Sequence, residues 1–166
     1  MMKSTTKHSV SSTDDTVDCI SEELISSVQS LIQMNIDSQK GFSEAAESVD
    51  HAEIAALFRG LSEERSHLAT ELQKLVQTKG EEPMTNGSVV GALHRSWLDL
   101  RSALSGGDVH AVLSEAERGE DYIKDAYENA LDVAVGCEWH AILSQQYAEI
   151  KVAHDRIRDL RDAFAE

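Results

Sequence analysis

Six residues have types and spacings that could hold a metal ion: Asp37, Glu64, His67, Glu117, Glu120 and His154. Glu64 and His67 stand three apart, the E-x-x-H spacing by which one helix turns a carboxylate and an imidazole toward the same ion. Glu117 and Glu120 repeat that one-turn separation with two carboxylates, and hard oxygen donors combined with imidazole suit iron, manganese or zinc. Glu120 is the most telling of the six. It sits in the series Val109, Leu113, Ala116, Glu120, Ile123, Tyr127, Ala130, Ala134, whose alternating steps of four and three trace one buried helical face. A carboxylate in such a seam must be protonated, ion-paired or bound to a cation, because a bare charge in a low-dielectric interior is too costly. Glu64 takes the corresponding place in the series Ile54, Phe58, Leu61, Glu64, Leu68, Leu72, Leu75.

A purely structural reading stands beside the metal. Glu64 and Glu120 can instead pair across a bundle with Arg65, Arg118, Arg156 or Arg158. His67 then reads as a partly exposed histidine bonded to a nearby carboxylate, and His154 as a packed core histidine. Tyr127 reads as a packing residue whose hydroxyl can reach the polar layer.

The elements that must position these groups are helical. A first helix is predicted from about Ser21 to Ser48, with Leu24, Val28, Leu31, Asn35, Ser38, Phe42 and Ala45 on its seam and Asp37 beside it. Asp50 followed by Glu53 has the layout of a cap with an acidic third residue, so a second helix should start there and stop at Lys79-Gly80, just before Pro83. A shorter amphipathic helix is expected from about Asn86 to Leu104, carrying Val89, Leu93, Trp97, Leu100 and Leu104 and ending at Gly106-Gly107. Asp108 should cap the third long helix, closed by Gly136, and a fourth carries Trp139, Leu143, Gln146, Ile150, Ala153, Ile157, Leu160 and Phe164. If the second and third long helices run parallel, the short one is the crossover between them.

Antiparallel hairpins bring residues equidistant from the turn to one height. In the first hairpin this sets Glu64 against the Asn35 to Ser38 region, including Asp37; in the second, Glu117 and Glu120 face Lys151 to His154, with Gln146 a turn away. Each hairpin is therefore expected to interrupt its apolar seam at mid-height.

Composition agrees with a helical domain. The chain has 166 residues with one Pro, and aromatics make up 5%, which favours small-residue helix packing over a sandwich or barrel. The reading is a tail over residues 1–18 followed by one helical domain over 19–166, because the Ser-, Thr- and Asp-rich start offers little to bury. A net charge of -15 repels phosphate backbones and anionic membranes, so neither nucleic acid nor membrane is an expected partner. The two cysteines, Cys19 and Cys137, have no C-x-x-C spacing and indicate neither a disulfide framework nor a thiolate metal site, which makes a cytoplasmic location the default.

The chain resembles a family of uncharacterised bacterial ferritin-like four-helix-bundle proteins, distantly similar in fold to rubrerythrin and bacterioferritin. The likeness rests on Asp37 with Gly41-Phe42 and Ala45-Ala46, Glu64-Arg65 with His67 and Glu71-Leu72-Gln73, Gly91, Leu93-His94-Arg95 and Trp97, Glu117-Arg118-Gly119-Glu120-Asp121, and His154-Asp155 with Arg158, Leu160 and Arg161-Asp162. The resemblance implies an all-α, ferritin-like antiparallel four-helix bundle with an added crossover helix between the second and third long helices. In the di-iron members of that superfamily the first and third helices each supply a Glu and the second and fourth each supply an E-x-x-H pair. Glu64 and His67 match the second helix's pair, and Glu120 or Glu117 matches the third helix's carboxylate. The first helix offers Asp37 in place of Glu, and in the fourth His154 falls out of register with Glu149. The expectation is a homo-oligomeric bundle whose Asp/Glu/His layer binds a transition metal, for iron handling or peroxide defence, in single-metal or residual form. The alternative is a non-catalytic helical stress or interaction module in which the same carboxylates form buried salt bridges.

Overall fold

A computed structural model describes residues 19–88 and 91–165. The expected tail and Val89 lie outside the described residues. Five helices occur among the described residues, with no strand: α1 Glu22–Ser48, α2 Ala52–Gln77, α3 Ala92–Gly106, α4 Val109–Val133 and α5 Trp139–Ala163. The protein is all-helical.

Local chemistry sets the ends. Ser21 caps α1 by accepting from the Leu24 amide at 3.1 Å, and Asp108 caps α4 by accepting from Ala111 at 3.2 Å. The second helix departs from expectation: His51, not Asp50, is its cap, its Nδ1 facing the Ile54 amide at 3.5 Å. The His51 ring also packs edge-on against Phe164 at 5.2 Å, a tertiary contact that no local cap rule includes.

The long helices form two antiparallel hairpins. In the first, Ser62 on α2 donates to the Gln39 carbonyl on α1 at 2.8 Å; in the second, Tyr127 on α4 donates to Gln146 on α5, also at 2.8 Å. The hairpins pack so that the start of α1 lies by the end of α4. Ile20, Leu24, Val28 and Leu31 share one apolar cluster with Ile123, Tyr127, Ala130 and Ala134, and Leu68, Leu72, Leu143 and Ile150 complete it. A second cluster at the opposite end joins Phe42 and Ala45 to Ile54, Phe58, Leu113, Ala116 and Ile157. The core is thus in two parts, with a polar layer between them.

α2 and α4 run parallel, and the chain returns between them in two stages. From Glu81 to Ser88 it is an extended strap along α1, held by Gln29, which donates to the Glu82 carbonyl at 2.7 Å and accepts from the Met84 amide at 2.8 Å. Gln73 donates to the Met84 carbonyl at 2.8 Å, and Asp37 accepts from the Ser88 amide at 3.0 Å. Only then does α3 begin, at Ala92 and not at Asn86. At ~1.5 Å per residue its turns cover little more than half of the bundle's length, and the strap covers the rest. The expected crossover helix is therefore shorter than predicted, because side chains of α1 and α2 satisfy the strap's backbone in place of helical bonds.

α3 lies on α1 and α4. Gly41 makes this possible, since a Cβ there would overlap the Trp97 ring, which stacks edge-on against Phe42 with centroids 4.9 Å apart. Ser96 reaches the Glu115 carbonyl at 3.4 Å beside Gly119, and Arg101 pairs with Glu44 at the surface.

Candidate functional site

The polar layer contains two connected sets of side chains. One is a chain of hydrogen bonds through all four long helices. Asn35 of α1 donates to the Tyr127 hydroxyl at 2.9 Å, Tyr127 donates to Gln146 Oε1 at 2.8 Å, and Gln146 Nε2 donates to Glu71 of α2 at 2.9 Å. Asn35, Tyr127 and Gln146 are fully buried, and burial pushes the Tyr127 hydroxyl pKa upward, so it is a neutral donor at ordinary pH.

The other set is an ion pair. Arg65 of α2 and Glu120 of α4 both have side chains 0% exposed and are directly bonded, and Arg65 Nη1 also meets Glu64 at 3.0 Å. Burial disfavours charge on both. On Arg65 the Glu120 and Glu64 carboxylates outweigh burial and raise its pKa, keeping the guanidinium charged. On Glu120 burial outweighs Arg65, and the carboxyl pKa is raised as well.

The six candidate ligands are not gathered at one point. Glu120 is buried in its seam as expected, but Glu64 is not. Its side chain is 32% exposed, and the buried residue at that height is Arg65. The series Ile54, Phe58, Leu61, Arg65, Leu68, Leu72 keeps a strict four-three alternation, and all six are buried. That alternation was the available signal; a charged Arg reads as a surface residue, although its long stem packs well inside. His67 is further out still, its side chain 69% exposed and 3.4 Å from Glu71. Asp37 serves the strap, and burial raises its pKa while the Ser88 amide opposes the rise. Glu117 is bonded to Arg161 near the end of α5.

His154 is buried, and its Nε2 lies 2.9 Å from Asp121 and 3.9 Å from Glu117, so the second hairpin does bring this imidazole to the acidic turn of α4. Among the described residues no three His, Cys, Asp or Glu side chains form a group that could hold a metal ion. Four buried polar atoms of the layer, Asn35 Oδ1, Ser38 Oγ, Arg65 Nε and Glu120 Oε1, have no hydrogen-bond partner among the described residues. The layer's chemistry is that of a fixed cation between carboxylates.

The profile of a family described as a domain of unknown function, DUF2383, matches residues 23–133. The chain belongs to this family. The DUF2383 match runs from the first turn of α1 to the end of α4, so it contains Asp37, Glu64, Arg65 and Glu120, while His154 and Gln146 on α5 lie beyond it. A search of curated proteins found no match. No helix among the described residues is long and apolar enough to cross a membrane.

Proposed function

We propose that this DUF2383 chain is a ferritin-like bundle working as a non-catalytic helical interaction module, with an arginine at the height where metal ligands would converge. The observation that carries the reading is Arg65, fully buried and bonded to both Glu64 and Glu120. A divalent cation at those carboxylates would have to sit against a guanidinium, so the donor set does not fit a metal there. Support for the ferritin-like arrangement comes from the parallel α2 and α4 joined by a strap and helix across the bundle. The partner in this reading is a second copy of the chain in the cytoplasm. A cavity of about 510 Å³ between α2 and α5, lined by Leu57, Val152 and Leu160 together with the charged Glu53, Asp155, Arg156 and Asp159, offers a mixed apolar and charged surface for it.

The test combines metal content with stability. Protein prepared without chelator should contain no stoichiometric iron, manganese or zinc. Arg65→Met should lose about 3–5 kcal/mol in urea unfolding by stranding Glu120, and Arg65→Met with Glu120→Leu should recover most of it. Sedimentation at two salt concentrations reports whether the chain self-associates. One bound metal per chain, lost in both Glu64→Ala and Glu120→Ala, would overturn the reading.

A second reading keeps iron, manganese or zinc, for iron handling or peroxide defence, at a different place. It rests on the pair of His154 Nε2 and Asp121 at 2.9 Å, one imidazole and one carboxylate with the remaining coordination left to water. Metal uptake lost in His154→Ala and retained in Glu64→Ala would select it.

A further inference from the structure

The two cysteines are 118 positions apart in the chain and meet at one end of the bundle, where the Cys137 thiol donates to the Cys19 carbonyl at 2.6 Å. We propose that Cys19 and Cys137, thiols in the reduced chain, form under oxidising conditions an intramolecular disulfide that fastens the entry of α1 to the turn between α4 and α5.

Both partners are held in place by their neighbours. The backbone of Cys137 is fixed in its turn, its amide donating to Ala134 at 2.9 Å and its carbonyl accepting from His140 at 3.1 Å, after Gly136 at φ +79°. Cys19 is placed by the next two residues: Ile20 is buried in the same apolar cluster as Cys137, and Ser21 caps α1. A carbonyl oxygen lies ~2.4 Å from its own Cα, so the Cys137 sulfur is within roughly 5 Å of the Cys19 Cα. The two Cα atoms are then no more than roughly 8 Å apart, and rotation about the exposed Cys19 side chain with a small backbone movement of that residue closes the remainder to the ~5.5–6 Å that a disulfide favours.

Exposure orders the chemistry, since Cys19 is exposed and Cys137 is 8% exposed. The Cys19 thiolate attacks one sulfur of a small disulfide, RSSR, forming a mixed disulfide and releasing one RS⁻. The Cys137 thiolate then attacks the Cys19 sulfur, closing the protein disulfide and releasing the second RS⁻. The two thiol protons pass to the departing thiolates. The balance is two protein thiols and RSSR giving one protein disulfide and two RSH, the reagent taking two electrons.

The test treats the reduced full-length chain with oxidised glutathione. The expected product is a monomer lighter by about 2 Da, with both thiols lost together and a Cys19–Cys137 cross-linked peptide in the digest. Closing so long a loop should raise Tm by on the order of 10 °C, reversed by reductant and absent in Cys19→Ser and Cys137→Ser. Three results would overturn the proposal: a lasting mixed disulfide on Cys19 with Cys137 still reduced, a Cys19-linked dimer, or an internal bridge that leaves Tm unchanged.

Discussion

Glu120 and Arg65 are a matched pair whose protonation is tied to the fold. Because burial raises the Glu120 pKa above 4.5, the folded chain binds that proton more tightly than the unfolded chain does. The contribution to stability is therefore full below the ordinary glutamate value and is lost as pH rises through the raised one. Glu120→Gln removes this titration. The wild type should gain stability relative to Glu120→Gln as pH is lowered from 8 toward about 4.5, measured by urea unfolding at each pH. A difference that shrinks on acidification would mean that Arg65 depresses the Glu120 pKa. The seam position of Glu120 was legible in sequence, since the alternating series on either side of it, Leu113 and Ala116 before and Ile123 after, is apolar. Its partner was legible only as one of four arginines, because choosing among them needs the angle at which α2 meets α4.

α3 has the least conventional seating of the five helices. It rests on a glycine of α1, and its tryptophan fills the space a side chain there would need. Gly41→Ala should cost about 1–3 kcal/mol by forcing the Trp97 ring away from Phe42. Combined with Trp97→Leu it should cost less than the sum of the two changes, a coupling that a double-mutant cycle in urea unfolding measures. Strict additivity would mean that Trp97 moves aside without resistance. The pattern Leu93, Trp97, Leu100 announced this helix in sequence. The start was misjudged because residues before Ala92 spend their backbone groups on Gln29, Gln73 and Asp37, partners dozens of positions away for which no local propensity accounts.

At the scale of the molecule, a net charge of -15 is distributed over a helical surface with few compensating cations. Mutual repulsion acts across distances comparable to the Debye length and fades as salt is added. Raising sodium chloride from about 20 to 300 mM should stabilise the fold by on the order of 1 kcal/mol, roughly 2–4 °C in Tm for a chain of this size. A fall in Tm would place the surface ion pairs, such as Arg158 with Asp155, ahead of the net charge. The sequence by itself determined the helical class, the long helices, most of their ends and the presence of a polar interruption at mid-height, because period, caps and glycine stops act within a few residues of each other. Tertiary structure alone decided that the inward guanidinium of α2 meets Glu120, and that half of the crossover is strap. The first depends on the rotation of one helix against another, where a step of about 100° around α2 separates Glu64 from Arg65, and the second on side chains of α1 and α2 distant in the chain.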